Sequence, residues 1–160
     1  MDLVRAGIVT VLYAGLTLVL QPISYGPVQV RISDALSILP YIPWYGFNAV
    51  IGLTLGTLIA NMISPYGFYD MILGTLTNLI YSLIAWVLGR ILYPSLWGMV
   101  IVVLEEIIIT AFMIGYVLLH IIYQVPLEIA FLGVLIGSCI SQGVLGFSLG
   151  LLITRRGRQR

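Results

Sequence analysis

Two adjacent glutamates, Glu105 and Glu106, interrupt an apolar run. Trp97-Gly98-Met99-Val100-Ile101-Val102-Val103-Leu104 precedes them and Ile107-Ile108-Ile109-Thr110-Ala111-Phe112 follows. A carboxylate near the centre of a bilayer costs roughly 2.5–3.5 kcal/mol on insertion scales. Two in succession on one apolar helix predict a hydrated or protein-lined cavity, or a partner that is cationic or rich in hydrogen-bond donors. The plainer alternative is a structural pair bonded to Asn78, a tyrosine or Gln142, with one carboxyl protonated. Other polar groups fall at similar depth. A helical register places Asp70, Gly74, Thr77 or Asn78, Tyr81 and Ala85 on one face, and Ser138, Ser141 and Gln142 lie in another apolar segment. Three segments thus bring polar side chains to mid-membrane, which predicts a site there.

Other patterns carry no chemistry. Gly146-Phe147-Ser148-Leu149-Gly150 fits G-x-S-x-G, but a nucleophile elbow needs a strand-to-helix turn. This serine sits near one end of an apolar helix, and the sole histidine, His120, sits near the opposite end of its own. The sequence contains no P-loop, no H-E-x-x-H and no Cys/His cluster, so it supports neither nucleotide hydrolysis nor a zinc site. No enzymatic activity, cofactor or nucleic-acid partner is expected. Cys139 is the single cysteine and has no intrachain partner.

The elements that must position these groups follow from composition. Of 160 residues, 61% are hydrophobic and 8% charged, and the mean hydropathy is +1.12. About 25% charged is usual in soluble domains. Long apolar segments without alternation indicate an all-α integral membrane protein, read as one domain over residues 1–160. The first segment covers Leu3 to Gln21 and reads as a retained helix, not a cleaved signal. Pro22 to Ser33 carries prolines and glycine and is expected to be non-helical. A short helix over Asp34 to Tyr41 follows, with Ser33 placed to cap it and Pro40 and Pro43 closing it. Further segments cover Trp44 to Ile63, Phe68 to Leu92, Leu96 to Tyr123 and Pro126 to Thr154.

The second of these six helices is too short to span. Eight or nine residues cover only ~14 Å of a core roughly 30 Å thick. The preceding loop is therefore expected to dip toward the bilayer, where irregular backbone is tolerated only against protein or a cavity. Arg155, Arg156, Arg158 and Arg160 mark a cytoplasmic C-terminus. Six elements then put the N-terminus and Arg5 inside with Arg90, and Arg31, Asp34, Asp70 and Glu128 toward the outside. Arg31 and Asp34 either pair locally or line an outer pocket, and Asp70 either lines it too or serves its helix N-terminus. Small residues recur at four-residue spacing: Ala6, Thr10 and Ala14, with Gly7 and Gly15 beside them; Gly52, Gly56 and Ala60; and Gly133, Gly137 and Ser141. Such stripes allow close helix approach in lipid.

The loop Pro22-Ile23-Ser24-Tyr25-Gly26-Pro27-Val28-Gln29-Val30-Arg31-Ile32-Ser33-Asp34-Ala35-Leu36 resembles the QueT family. So do Gly52, Gly56, Ala60-Asn61, Ser64-Pro65, Gly67, Asp70 and Gly74-Thr75. Members are substrate-binding membrane subunits (S-components) of energy-coupling factor transporters for queuosine precursors. The resemblance implies a six-helix S-component bundle in the cell membrane, with an outer site under loops. It also implies a transmembrane coupling subunit and two ATPase subunits as partners, docked through a helix-1 stripe to which Ala6, Thr10 and Ala14 are similar. The implied substrate is a 7-deazaguanine. Its N1–H and exocyclic NH₂ match a carboxylate, its O6 needs a donor from Gln29, Gln142, Asn78 or Arg31, and its rings stack on Tyr25, Tyr81 or Phe112. An aminomethyl substituent would match a second carboxylate. A different class of reading is a stand-alone proton- or cation-coupled transporter with Glu105 and Glu106 as relay. The substrate-binding set is thus Gln29, Arg31, Asp34, Asp70, Asn78, Glu105, Glu106 and Gln142.

Overall fold

The computed structural model describes residues 2–26 and 29–157. Pro27 and Val28 of the first loop, and Arg158 and Arg160 of the basic tail, lie outside the described residues. Those described are helical or irregular, without a strand. Helix α1 spans Leu3–Val19, and a single turn, Gln21–Ser24, follows it. A 3-10 helix covers Ile32–Tyr41, and α2 covers Gly46–Asn61. Three longer helices complete the chain: α3 (Gly67–Leu92), α4 (Leu96–Ile122) and α5 (Leu127–Arg156). These three are long and apolar enough to cross a membrane, while α1 and α2 are shorter apolar helices.

Two serviceable caps start helices where the sequence supplies them. The Asp2 carboxylate accepts from the Arg5 amide at 3.3 Å, and Ser95 Oγ accepts from the Gly98 amide at 3.3 Å. Helices α1 and α2 pack most closely. A Cβ on Gly52 would lie 2.7 Å from Ala6 O, and one on Gly56 would lie 2.9 Å from Tyr13 Cβ. Thr10 Oγ1 donates across this seam, 3.1 Å from Gly52 O. The stripe expected to meet a partner subunit is therefore turned inward: Ala6 and Ala14 are buried and Thr10 is half-buried. The neighbouring stripe is the open one, since nothing lies within 4 Å of a Cβ on Gly7 or Gly15.

The 3-10 helix is the central element. Seven of its ten residues are buried, including Ile38 and Tyr41, and all five of α1 to α5 touch it. It differs from the expected short α-helix in three ways. It begins at Ile32 behind extended Arg31, and Ser33 does not cap it; Ser33 Oγ instead lies 2.7 Å from Thr17 Oγ1 of α1. Pro40 sits inside it and does not close it. Its tighter winding rises about 2.0 Å per residue, so ten residues reach ~20 Å and not ~14 Å. The single turn ahead of it, expected to be irregular, forms because Pro22 occupies its first positions, where a missing N–H is harmless.

Two apolar clusters stack along the bundle. One gathers Val9, Tyr13, Ile38, Tyr41, Leu53, Met99, Val102 and Ile107; the other gathers Ile114, Leu118, Leu119, Ala130 and Val134. Aromatic pairs mark the two ends: Trp44 with Tyr93 (5.8 Å) and Tyr66 with Tyr123 (5.6 Å). The outer surface is lined by large apolar side chains such as Val11, Ile59, Ile101, Ile108 and Ile136. A lipid environment stabilises this arrangement; water would not.

Candidate functional site

Between the two apolar clusters lies a buried polar chamber. It is lined by Tyr13 of α1, Arg31, Asp34 of the 3-10 helix, Thr57 of α2, Gly74, Thr77, Asn78 and Tyr81 of α3, and Thr110 and Ile114 of α4. Its free space is that of about a water molecule. A larger occupant therefore needs the lining to widen.

Each charged wall group is held by a neutral or opposite partner. Tyr13 Oη donates to Asp34 Oδ1 at 2.5 Å. Arg31 Nη2 meets Asp70 Oδ2 at 3.3 Å, and its guanidinium lies 4.9 Å from the Tyr25 ring centre. Asp70 Oδ2 also accepts from Ser64 Oγ at 2.5 Å. Tyr25 Oη in turn donates to Asn61 Oδ1 at 3.0 Å, and Asn61 Nδ2 donates to Asp70 O at 3.1 Å. This net ties the first loop to the α2–α3 turn. Arg31 and Asp34 both line the chamber, and the alternative local pair does not form. Arg31 precedes the helix in extended conformation, so helical i,i+3 geometry does not bring the two together. Asp70 holds Arg31 and Ser64 and does not line the chamber.

The glutamates part company. Glu106 is fully buried and accepts from Ser37 Oγ at 2.5 Å through Oε2. Glu105 is half-buried, one residue round the helix, and neither of its carboxylate oxygens has a partner. Neither lines the chamber, which corrects the expectation of a paired acidic wall. The reason is angular, because successive residues on an α-helix point about 100° apart. A two-glutamate relay loses its geometric basis for the same reason. Gln142 lies one layer away, its Nε2 donating to Thr110 Oγ1 at 3.1 Å. Gln29 is buried at the loop, with positive φ (46°) and an unpartnered Nε2, but outside the chamber lining. Phe112, a stacking candidate, is exposed on the outer surface.

Of the expected residues, the fold brings Arg31, Asp34, Asn78 and Tyr81 to one chamber. Tyr13, Thr57 and Ile114 were not anticipated there. Tyr13 carried a usable signal: Val9, Tyr13 and Thr17 recur every four residues on one buried face of α1. Unspent hydrogen-bonding groups remain around the chamber. Arg31 Nε and Asn78 Oδ1 are buried without partners in the lining, and Glu106 Oε1 and Gln142 Oε1 just behind Thr110. A buried polar group without a partner costs about 1–3 kcal/mol. A polar ligand with donors and acceptors in the right places would relieve that cost.

Over 82 residues the chain is 35% identical to the queuosine precursor transporter QueT of Lactococcus lactis subsp. cremoris (strain MG1363). That alignment covers 50% of this chain and 46% of the relative, so the chain spans about half the length of the curated relative it matches. No solved structure matches. The description of the QueT transporter family, however, matches residues 3–155, from the first turn of α1 to the last turns of α5. The chain belongs to the QueT transporter family.

Proposed function

We propose that this chain is the substrate-binding membrane subunit of an importer of the energy-coupling factor type, and that it captures a queuosine precursor or related 7-deazaguanine from outside. One observation carries the reading: a polar chamber presents the Asp34 carboxylate and the Arg31 guanidinium from fixed positions, with Asn78 between the apolar layers. Asp34 Oδ2 and Oδ1 accept from the N1–H and exocyclic NH₂ of the base, Arg31 Nε donates to O6, and Tyr81 supplies a ring face.

The bundle then crosses the plasma membrane six times, the 3-10 helix and its preceding loop together forming one crossing, with both termini cytoplasmic. The aromatic pairs at the two ends support that placement, because tyrosine and tryptophan favour the two membrane interfaces. Uptake is driven by partners: a transmembrane coupling subunit and two ATPases, since the sequence has no P-loop. The open Gly7–Gly15 side of α1 is the face that meets the coupling subunit.

Equilibrium binding of preQ0, preQ1, queuine and guanine to purified protein tests the ligand class. Submicromolar binding of at least one 7-deazaguanine is expected, and binding no tighter than millimolar by all of them defeats the assignment. Proteoliposomes holding this chain alone are expected to show no uptake until the coupling subunit and ATPases are added. Uptake driven by a pH or cation gradient with this chain alone would overturn the coupled mechanism.

A further inference from the structure

Behind Thr110 lies a group of acceptors that the chamber lining does not use. Glu106 is fully buried, bonds Ser37 through Oε2, and leaves Oε1 without a partner. Gln142 is fully buried, spends its Nε2 on Thr110 Oγ1, and leaves Oε1 without a partner. Glu106 and Thr110 are four apart on α4 and share one face. Thr110 is at once a wall of the chamber and the hydrogen-bond partner of Gln142. This group of acceptors therefore adjoins the chamber across a single side chain. It lacks donors, not acceptors.

The 3-10 winding fixes where this group stands relative to Asp34. In a 3-10 helix residues i and i+3 eclipse each other, and three residues rise about 6 Å. Asp34 and Ser37 are such a pair, so the carboxylate of Asp34 and the hydroxyl that holds Glu106 stand on one line along the helix. An α-helix would turn the second residue about 60° away from the first. The Asp34 and Ser37 side chains thus leave the helix on one side, about 6 Å apart along its axis, with Glu106 held at the Ser37 end.

We propose that Glu106, Thr110 and Gln142 form a subsite for a primary ammonium group carried by the ligand. A –NH₃⁺ has three donors and no acceptor. Glu106 Oε1, Gln142 Oε1 and Thr110 Oγ1 offer three acceptors, and the Glu106 carboxyl supplies the countercharge when it meets the cation. The subsite selects ligands with an aminomethyl arm over neutral analogues of the same ring system. This inference rests on the 7-deazaguanine reading of the chamber.

The test compares preQ1, which bears the aminomethyl group, with preQ0, which bears a neutral nitrile at the same carbon. Titration calorimetry on the purified full chain gives both Kd values for wild type, Glu106→Gln and Gln142→Met. Wild type is expected to favour preQ1 by at least tenfold. Glu106→Gln is expected to weaken preQ1 by about 10- to 100-fold, the loss of one charge-assisted bond, and to move preQ0 by less than about threefold. Gln142→Met shifts the same ratio in the same direction by a smaller factor and guards against a folding defect in the first variant. An unchanged preQ1-to-preQ0 ratio in both variants overturns the subsite while leaving the chamber assignment intact. Failure of wild type to bind preQ0, preQ1, queuine or guanine overturns the chamber assignment itself.

Discussion

In the proposed site Asp34 is the residue on which recognition would turn, and its environment explains why. It is buried, its Oδ1 is engaged by Tyr13 Oη at 2.5 Å, and the chamber opens in front of it. Asp34→Asn keeps the shape but replaces an acceptor with an NH₂ that opposes the N–H edge of a guanine-like ring. Binding of the preferred 7-deazaguanine is expected to weaken by about 100-fold in calorimetry, since a hydrogen bond to a charged group contributes about 1.5–3 kcal/mol. Tyr13→Phe removes only the positioning bond and should cost about tenfold. Equal affinity in Asp34→Asn and wild type would remove Asp34 from the site. The sequence made Asp34 and Arg31 legible because charge in an apolar chain is costly. It also suggested the wrong pairing, because three-residue spacing implies contact only if both residues are helical. The true partner of Arg31, Asp70, is 39 positions away in sequence, and only the α2–α3 turn brings it near.

The elements divide into those readable from hydropathy and those decided by packing. The apolar segments from Trp44 onward gave α2 through α5 to within a few residues, because uninterrupted apolar length has few alternatives. The 3-10 form of Ile32–Tyr41 was not legible. No local propensity favours ten residues of 3-10 winding; burial of both faces and contacts from every long helix impose it. The wide π-helical turns Ala111–Ile122, starting just after Thr110, and Cys139–Gly146, which contains Gln142, were hidden for the same reason. Small-residue stripes were legible as contacts but not as to which partner they contact. A paired substitution separates the two α1 stripes. Gly52→Ala places a Cβ 2.7 Å from Ala6 O and Val9 Cβ, so α1 and α2 must part. A loss of about 1–3 kcal/mol is expected, read as a lower Tm in detergent. Gly7→Ala meets nothing within 4 Å and gains helix propensity, so its Tm should hold or rise slightly. Equal destabilisation of both variants would contradict the inward placement of the Ala6–Thr10–Ala14 stripe.

For the molecule as a whole, orientation is the property on which outside capture depends. The basic tail, Arg5 and Arg90 predict cytoplasmic termini. Arg5 Nη1 donates to Trp44 O at 2.5 Å, and the Arg90 guanidinium lies 5.5 Å from the Trp86 ring centre, so both arginines sit beside tryptophans. Helix α4 offers a direct test because its two ends must lie on opposite sides if it crosses the membrane. Cys139 is the single cysteine, so Cys139→Ala gives a clean background. Leu96→Cys at the start of α4 and Glu128→Cys just beyond its far end both replace exposed residues. A membrane-impermeant maleimide added to intact cells should label Glu128→Cys and spare Leu96→Cys until the cells are permeabilised. The reverse pattern would place the Asp34 chamber toward the cytoplasm and turn an importer's binding face the wrong way. Labelling of both positions on intact cells would mean that α4 does not cross at all, and the Glu106 group would then lie at a surface where unpartnered acceptors find water and need no ligand.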